Sequence, residues 1–202
     1  MNTIHKLTEL FTRFPGIGPR QAGRFVYFLL SSSHSYRSEL IRLISTLKDE
    51  TKICTLCSRF HSNHTEICSI CADKNRDNTL LMLVEKDVDL DNIERARDYN
   101  GYYFVIGGRV PILDKEPSNT IRENELKKIL EGRAKEGLKE IILAFSVNPE
   151  GENTTQYIQK AIESIIKKHN LKISTLGRGL STGSELEYSD SETIKNALKN
   201  RM

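Results

Sequence analysis

Between residues 80 and 176 the chain alternates short apolar runs with longer stretches in which apolar residues return every three or four positions. The runs LLMLVE (80–85), YYFVIG (102–107), EIILAF (140–145) and LKISTL (171–176) have the length and composition of buried strands, with Gly or Pro nearby. Between them DLDNIERARDY, NELKKILEGRAKEG and NTTQYIQKAIESIIKKH read as helices, and Ile158, Ile162, Ile165 and Ile166 form one stripe of the last. Strands that alternate with helices predict a parallel α/β sheet covered on both faces. In such a sheet function gathers in the loops beyond the carboxy ends of the strands. Three features fall there: Glu85, the GGRVPILD loop at 107–114, and FSVNPEGE at 145–152. A carboxylate closing one strand and an acidic loop after another is the layout of a magnesium site for phosphoryl transfer. Solvated loop acids are the competing reading.

The amino-terminal pattern is different. Helical spacing from Ile4 to Phe11 is followed by FPGIGPR at 14–20 and then QAGRFVYFLL. Pro15, Gly16, Gly18 and Pro19 forbid one continuous helix, which predicts helix, tight loop, helix. In the second helix Ala22, Phe25, Val26 and Leu29 share a face for burial, while Arg20 and Arg24, four apart, share another. Glycines that admit a close approach, free N–H groups at a helix start and two arginines suit a phosphate. A plain helix connection with incidental glycines is the alternative. A third helix over 36–50 carries Leu40, Leu43, Ile44 and Leu47 on one side, which predicts that it buries the hairpin's apolar face.

Residues 54–71 read CTLCSRFHSNHTEICSIC, and they hold all four cysteines of the chain. Two Cys-x2-Cys knuckles ten residues apart supply the tetrahedral thiolate set that zinc prefers, from Cys54, Cys57, Cys68 and Cys71. A closed four-sulfur shell leaves no position for water, so the expected ion is structural. A redox pair or two disulfides are the rival readings, and a redox motif accounts for one knuckle only.

Composition, 38% hydrophobic and 28% charged over 202 residues, is that of a globular chain able to bury its own core. The net charge of +3 matters only once it is located. Residues 1–50 hold seven Lys/Arg against four Asp/Glu, and the remainder holds 23 of each, so an anionic partner should meet the amino-terminal quarter. The first residues lack the apolar core of a signal peptide, and no window reaches the length of a membrane span. A cytoplasmic location is the expectation.

Taken in order, FPGIGPRQAGRF, CTLC with CSIC, LVEKDVDLDNIERA, GYYFVIGGRVPILD, EGENTTQYI and GLSTGSELEYSD resemble the RecR family of bacterial recombination mediators over nearly the whole chain. The amino-terminal part resembles a helix-hairpin-helix, and the α/β part the Toprim domain of topoisomerases and primases. The resemblance implies an α/β protein with a helix-hairpin-helix DNA-binding region at 1–52, a four-cysteine zinc finger at 53–76, a Toprim-like domain at 77–176, and a carboxy-terminal helical segment at 177–202 with possible subunit contacts. It implies a ring-like homotetramer able to encircle DNA, single- or double-stranded and without sequence preference. Such a clamp works with RecO, and often RecF, to load RecA on single-stranded DNA. Gly16, Gly18, Arg20 and Arg24 correspond to the DNA-contacting hairpin, and Cys54, Cys57, Cys68 and Cys71 to the ligands of one Zn2+ per chain.

Toprim enzymes carry an Asp-x-Asp pair just before Glu-Gly-Glu and a Glu ending the first strand. Here Glu85, Glu150, Gly151 and Glu152 match, but Ser146 and Asn148 stand where the aspartates should be. Neither carries the charge that holds magnesium against its hydration, which predicts a protein that is not an enzyme. Glu85, Glu150 and Glu152 then become candidates for partner binding. A metal-dependent Toprim nuclease or primase is the alternative. Family members usually read Asn-Pro-Thr-Val before the Glu-Gly-Glu and Gly-Ile-Pro-Val-Gly-Gly near the carboxy end. This chain departs at Ser146 to Pro149 and at Leu180, Ser181, Thr182 and Ser184.

Overall fold

A computed structural model of the chain describes residues 2–113, 120–177, 187, 189 and 191–199. The departures from Leu180 to Ser184 lie outside the described residues, as does Asp114 at the end of the GGRVPILD loop. The chain divides into two compact units, 1–51 and 52–202.

The first unit is three helices, α1 (Thr3–Thr12), α2 (Pro19–Ser31) and α3 (His34–Thr46). The side chain of Asn2 caps α1 by accepting from the His5 amide at 2.9 Å, and that of Ser33 caps α3 by accepting from Tyr36. Between α1 and α2 the amides of Phe14 and Ile17 bond back to the carbonyls of Phe11 and Phe14. The turn passes through Gly16 at φ +76°, where a side chain would be strained. Pro19 sits at the first helical position of α2, where its fixed φ suits the helix and its missing N–H costs nothing. The expected stripe of α2 is present: Ala22 and Val26 are buried, Phe25 and Leu29 half-buried. The role expected of α3 is filled only in part: Leu40 is half-buried and Tyr36 meets Phe28 of α2. Leu43, Ile44 and Leu47 remain 46%, 63% and 62% exposed, and α3 buries no residue. Three helices of ten to thirteen residues leave too little opposing surface to cover every apolar stripe.

The second unit begins with a two-residue antiparallel pair, β1 (Lys52–Ile53) and β2 (Phe60–His61), followed by a single turn, α4 (Ser69–Ala72). It continues as β3 (Asp77–Val84), α5 (Asp87–Ala96), β4 (Gly101–Val105), α6 (Glu123–Lys135), β5 (Glu140–Ala144), α7 (Pro149–His169), β6 (Lys172–Thr175) and α8 (Ser191–Lys199). The four longer strands form one parallel sheet in the order β4-β3-β5-β6.

Alternation along the strands divides the core into two layers. Leu81, Leu83, Tyr102, Phe104, Ile141 and Leu143 face one side, where Leu126 and Leu130 of α6 and Ile158, Ile162 and Ile165 of α7 cover them. Met82, Val84, Tyr103, Val105 and Ala144 face the other, where Leu90 of α5 joins Cys54, Cys57, Cys68 and Ile70. The cysteine segment therefore takes the place of a covering helix. Helix α7 starts at Pro149, four residues before the start that its apolar stripe suggests, because Asn148 caps it by accepting from the Gly151 amide at 2.8 Å.

Candidate functional site

In the cysteine cluster the two knuckles converge: the four sulfurs of Cys54, Cys57, Cys68 and Cys71 all lie within 4.8 Å of one another, and none is in a disulfide. Zinc–sulfur bonds of about 2.3 Å in a tetrahedron place sulfurs about 3.8 Å apart, so the set fits one ion with small adjustment. Ser58, at φ +60°, turns the first knuckle, and its amide bonds to the Cys54 carbonyl at 2.9 Å. The Cys68 amide points at the Cys54 sulfur at 3.3 Å, a donor that favours thiolate. Hydrogen bonding from Cys57 above all, then from Cys68 and Cys71, holds the Cys54 thiol well below its ordinary pKa. These residues can hold a metal ion.

Fixed contacts join the cluster to the sheet. The Val105 amide donates to the Cys57 carbonyl at 2.8 Å, and Arg122 donates to the carbonyls of both Ser58 and Val105. Asp87 at the start of α5 accepts from the Phe60 amide at 2.8 Å, and Asp91 one turn on pairs with Arg59 at 3.0 Å. Behind the second knuckle Arg76 pairs with Glu94, which also accepts from the Tyr103 hydroxyl at 2.6 Å. Burial pushes the Glu94 carboxyl up, yet hydrogen bonds from Arg76 and Tyr103 leave its pKa below the ordinary value.

At the carboxy ends of β3 and β5 the acidic features meet. Glu85 follows β3 and is 2% exposed. Its carboxylate accepts from the Ser146 amide at 2.7 Å, the Ser146 hydroxyl at 3.0 Å and Arg109 Nε at 2.7 Å. The same guanidinium reaches Glu150 from Nη1 at 3.3 Å. Glu150 and Glu152 lie in the first turn of α7, where the helix dipole favours carboxylates, and both are exposed. Gly151 packs so tightly under the preceding loop that a Cβ there would stand 1.9 Å from the Ser146 carbonyl oxygen. The loop after β4 is tied to the same helix: Val110 donates its amide to Thr154 Oγ1 and accepts from Asn153, both at 2.9 Å.

In the first unit Gly16, Gly18, Arg20 and Arg24 are all exposed. No side chain caps α2 at Gly18, and the first turn holds no acid. Arg24 makes one long contact, 3.5 Å to Gln21, and Arg20 makes no hydrogen bond or ion pair with a described residue. A Cβ at Gly18 would meet nothing within 4 Å, and the φ of −83° is open to any residue, so nothing inside this unit requires glycine there.

A Toprim domain family model matches residues 79–177, and a model for the RecR carboxy-terminal region matches 179–202. Proteins named recombination protein RecR align along almost the full length. That of Bifidobacterium longum subsp. infantis is 35% identical over 98% of this chain and 94% of its own length. That of Lacticaseibacillus casei is 33% identical over 98% and 96%, and that of Bifidobacterium adolescentis 34% over 98% and 94%.

The chain belongs to the RecR family. Within this RecR chain the residues singled out in the sequence fall into three places. The four cysteines form one cluster, Glu85 and Glu150 share Arg109, and the two glycines and two arginines flank the start of α2. Glu85, a candidate for partner binding from the sequence, is 2% exposed, and its carboxylate is held by Ser146 and by Arg109. Sequence reasoning missed Arg109, which lies 24 residues beyond Glu85 and 41 before Glu150 in the chain. It also missed the cap formed by Asn148, although Asn-Pro before two acids is a readable helix start. An aromatic groove escaped it as well. Phe11 stacks on Phe14 and meets Phe25 edge-on, each at 5.8 Å, and Phe28 meets Tyr36 at 5.7 Å. With Leu40 and Ile44 these rings line a cavity of about 640 Å³ within the first unit.

Proposed function

We propose that this RecR-family chain is a non-enzymatic recombination mediator in DNA repair that holds the DNA backbone through the start of α2. The observation that carries the reading is the exposed pair Arg20 and Arg24 beside an uncapped helix start, reached across a Gly16–Gly18 loop with open space around it. Free amides and two guanidinium groups match phosphate oxygens and read no base, so the contact suits DNA of any sequence, single- or double-stranded. The clamp is a homotetramer in this reading, and the apolar face of α3 with the aromatic groove supplies surface for self-association.

One structural Zn2+ held by Cys54, Cys57, Cys68 and Cys71 would supply folding free energy and leave no open position for chemistry. The carboxy ends of β3, β4 and β5 serve as a docking face for RecO, with RecF as a further partner, in promoting RecA loading. Glu150 and Glu152 are exposed there, as are Val147 at 66% and, on the loop that Val110 ties to α7, Ile112 and Leu113 at 59% and 91%. Catalysis by a Toprim nuclease or primase is disfavoured because Asn148 is committed to capping α7 and Ser146 to holding Glu85. The protein acts in the cytoplasm.

Arg20→Ala with Arg24→Ala, in zinc-loaded protein, tests the DNA assignment. DNA affinity should fall alike for all sequences, and the slope of log K against log salt should drop by about 2, one for each phosphate the protein no longer neutralises. Equal affinity with the same slope would place the DNA-holding surface elsewhere.

A further inference from the structure

We propose that Arg109 is a built-in counter-cation that occupies the place of a divalent ion between Glu85 and Glu150, closing this acidic site to metals and fastening the β4 loop to α7. The inference deepens the non-enzymatic reading and rests on it. Two carboxylates joined by one cation, with a serine hydroxyl beside the first of them, are a donor set that a hard divalent cation could use. Here one guanidinium makes those contacts instead: Nε to Glu85 at 2.7 Å and Nη1 to Glu150 at 3.3 Å, while the Ser146 hydroxyl is turned onto Glu85 at 3.0 Å.

Charge explains why Arg109 stays. Glu85 is buried, so its carboxylate needs a permanent positive partner as well as the two donors of Ser146. An arginine cannot shed its proton at any physiological pH, and its fork spans two acceptors at once. A magnesium ion would have to displace that fork and give up part of its hydration for a site already neutralised.

Position gives the clamp its second role. Arg109 is followed directly by Val110, which is buried and bonded through its amide to Thr154 and through its carbonyl to Asn153. The peptide after β4 is thus fixed to the first two turns of α7 at three successive levels: Glu150, Asn153 and Thr154. Ile112 and Leu113 then leave this anchor exposed. Arg109 is a positioning residue for that apolar tip.

The test is titration of the zinc-loaded, full-length protein with manganese(II) alone, read by electron paramagnetic resonance. The natural chain and Arg109→Lys, which keeps the charge, should show no Glu150-dependent site. Arg109→Gln and Arg109→Ala should each gain one site, binding about tenfold or more tighter than the background of exposed acids, and adding Glu150→Gln should remove it. Circular dichroism establishes which variants fold; Arg109→Gln keeps a donor for Glu85 and serves if Arg109→Ala does not fold. Folded Arg109→Gln with no added site would overturn the counter-cation while leaving the non-enzymatic reading in place. A Glu150-dependent manganese site in the natural chain would overturn the inference, and manganese-dependent cleavage of DNA by that chain, lost in Glu150→Gln, would overturn the reading as well.

Discussion

Asn148 and Ser146, which the sequence reading sets against the aspartates of a Toprim enzyme, both have structural work that an uncharged side chain does well. Asn148 accepts from the Gly151 amide, one of the orphan donors at the start of α7. Ser146 donates to Glu85 from its amide and from its hydroxyl; an aspartate would keep the amide bond but replace the hydroxyl donor with a carboxylate that repels Glu85. Asn148→Ala should therefore cost about 1 kcal/mol in urea unfolding, the usual effect of a lost cap, while Asn148→Asp should be close to neutral because Asp caps equally well. Equal costs for both would show that the cap is not what Asn148 provides. Neither change should create turnover. Gly151 is constrained from the same side, since the Ser146 carbonyl fills the space a methyl group would need.

The cysteine segment and β4 behave as one element despite their separation in the chain. Val105 donates to Cys57, Arg122 ties Ser58 to Val105, and the sulfur-bearing residues complete the apolar layer over Met82, Tyr103 and Val105. With an ion bound, its loss would remove the constraint that gathers the two knuckles and would leave their sulfurs unpaired with a cation. Chelation, or Cys68→Ser, should consequently lower the thermal midpoint of the whole 52–177 region in one cooperative transition, followed by circular dichroism. A local change at the knuckles with an unshifted sheet transition would show that the bonds to β4 do not couple the two. The Arg76–Glu94–Tyr103 group binds the end of the second knuckle to α5 and β4 in the same way.

For the whole molecule the exposed apolar residues of the first unit set the main question. Tyr27, Phe28, Leu30, Ile41, Ile44 and Leu47 are each at least 56% exposed, an arrangement costly for a chain that stays alone in water. Ile44→Glu places a charge on that face and in the groove without touching the two buried residues of α2. It should lower the molar mass seen by light scattering at micromolar concentration while leaving helix content intact. An unchanged mass would remove this face from the subunit contacts.

How much of this was legible depends on how local the cause is. The CxxC spacing, the Gly and Pro of the hairpin and the alternation of strands with helices are local, and residues a few positions apart carry them. The sequence by itself thus determined the amino-terminal helices, the clustering of the four cysteines and the parallel sheet. Tertiary structure decided the rest. It alone joined Arg109 to Glu85 and Glu150, made the cysteine segment a cover for the sheet, and left most of the α3 stripe exposed. An apolar stripe records that something must cover it and a charged side chain that something must balance it; the partner is chosen by proximity in the folded chain, which no periodicity encodes.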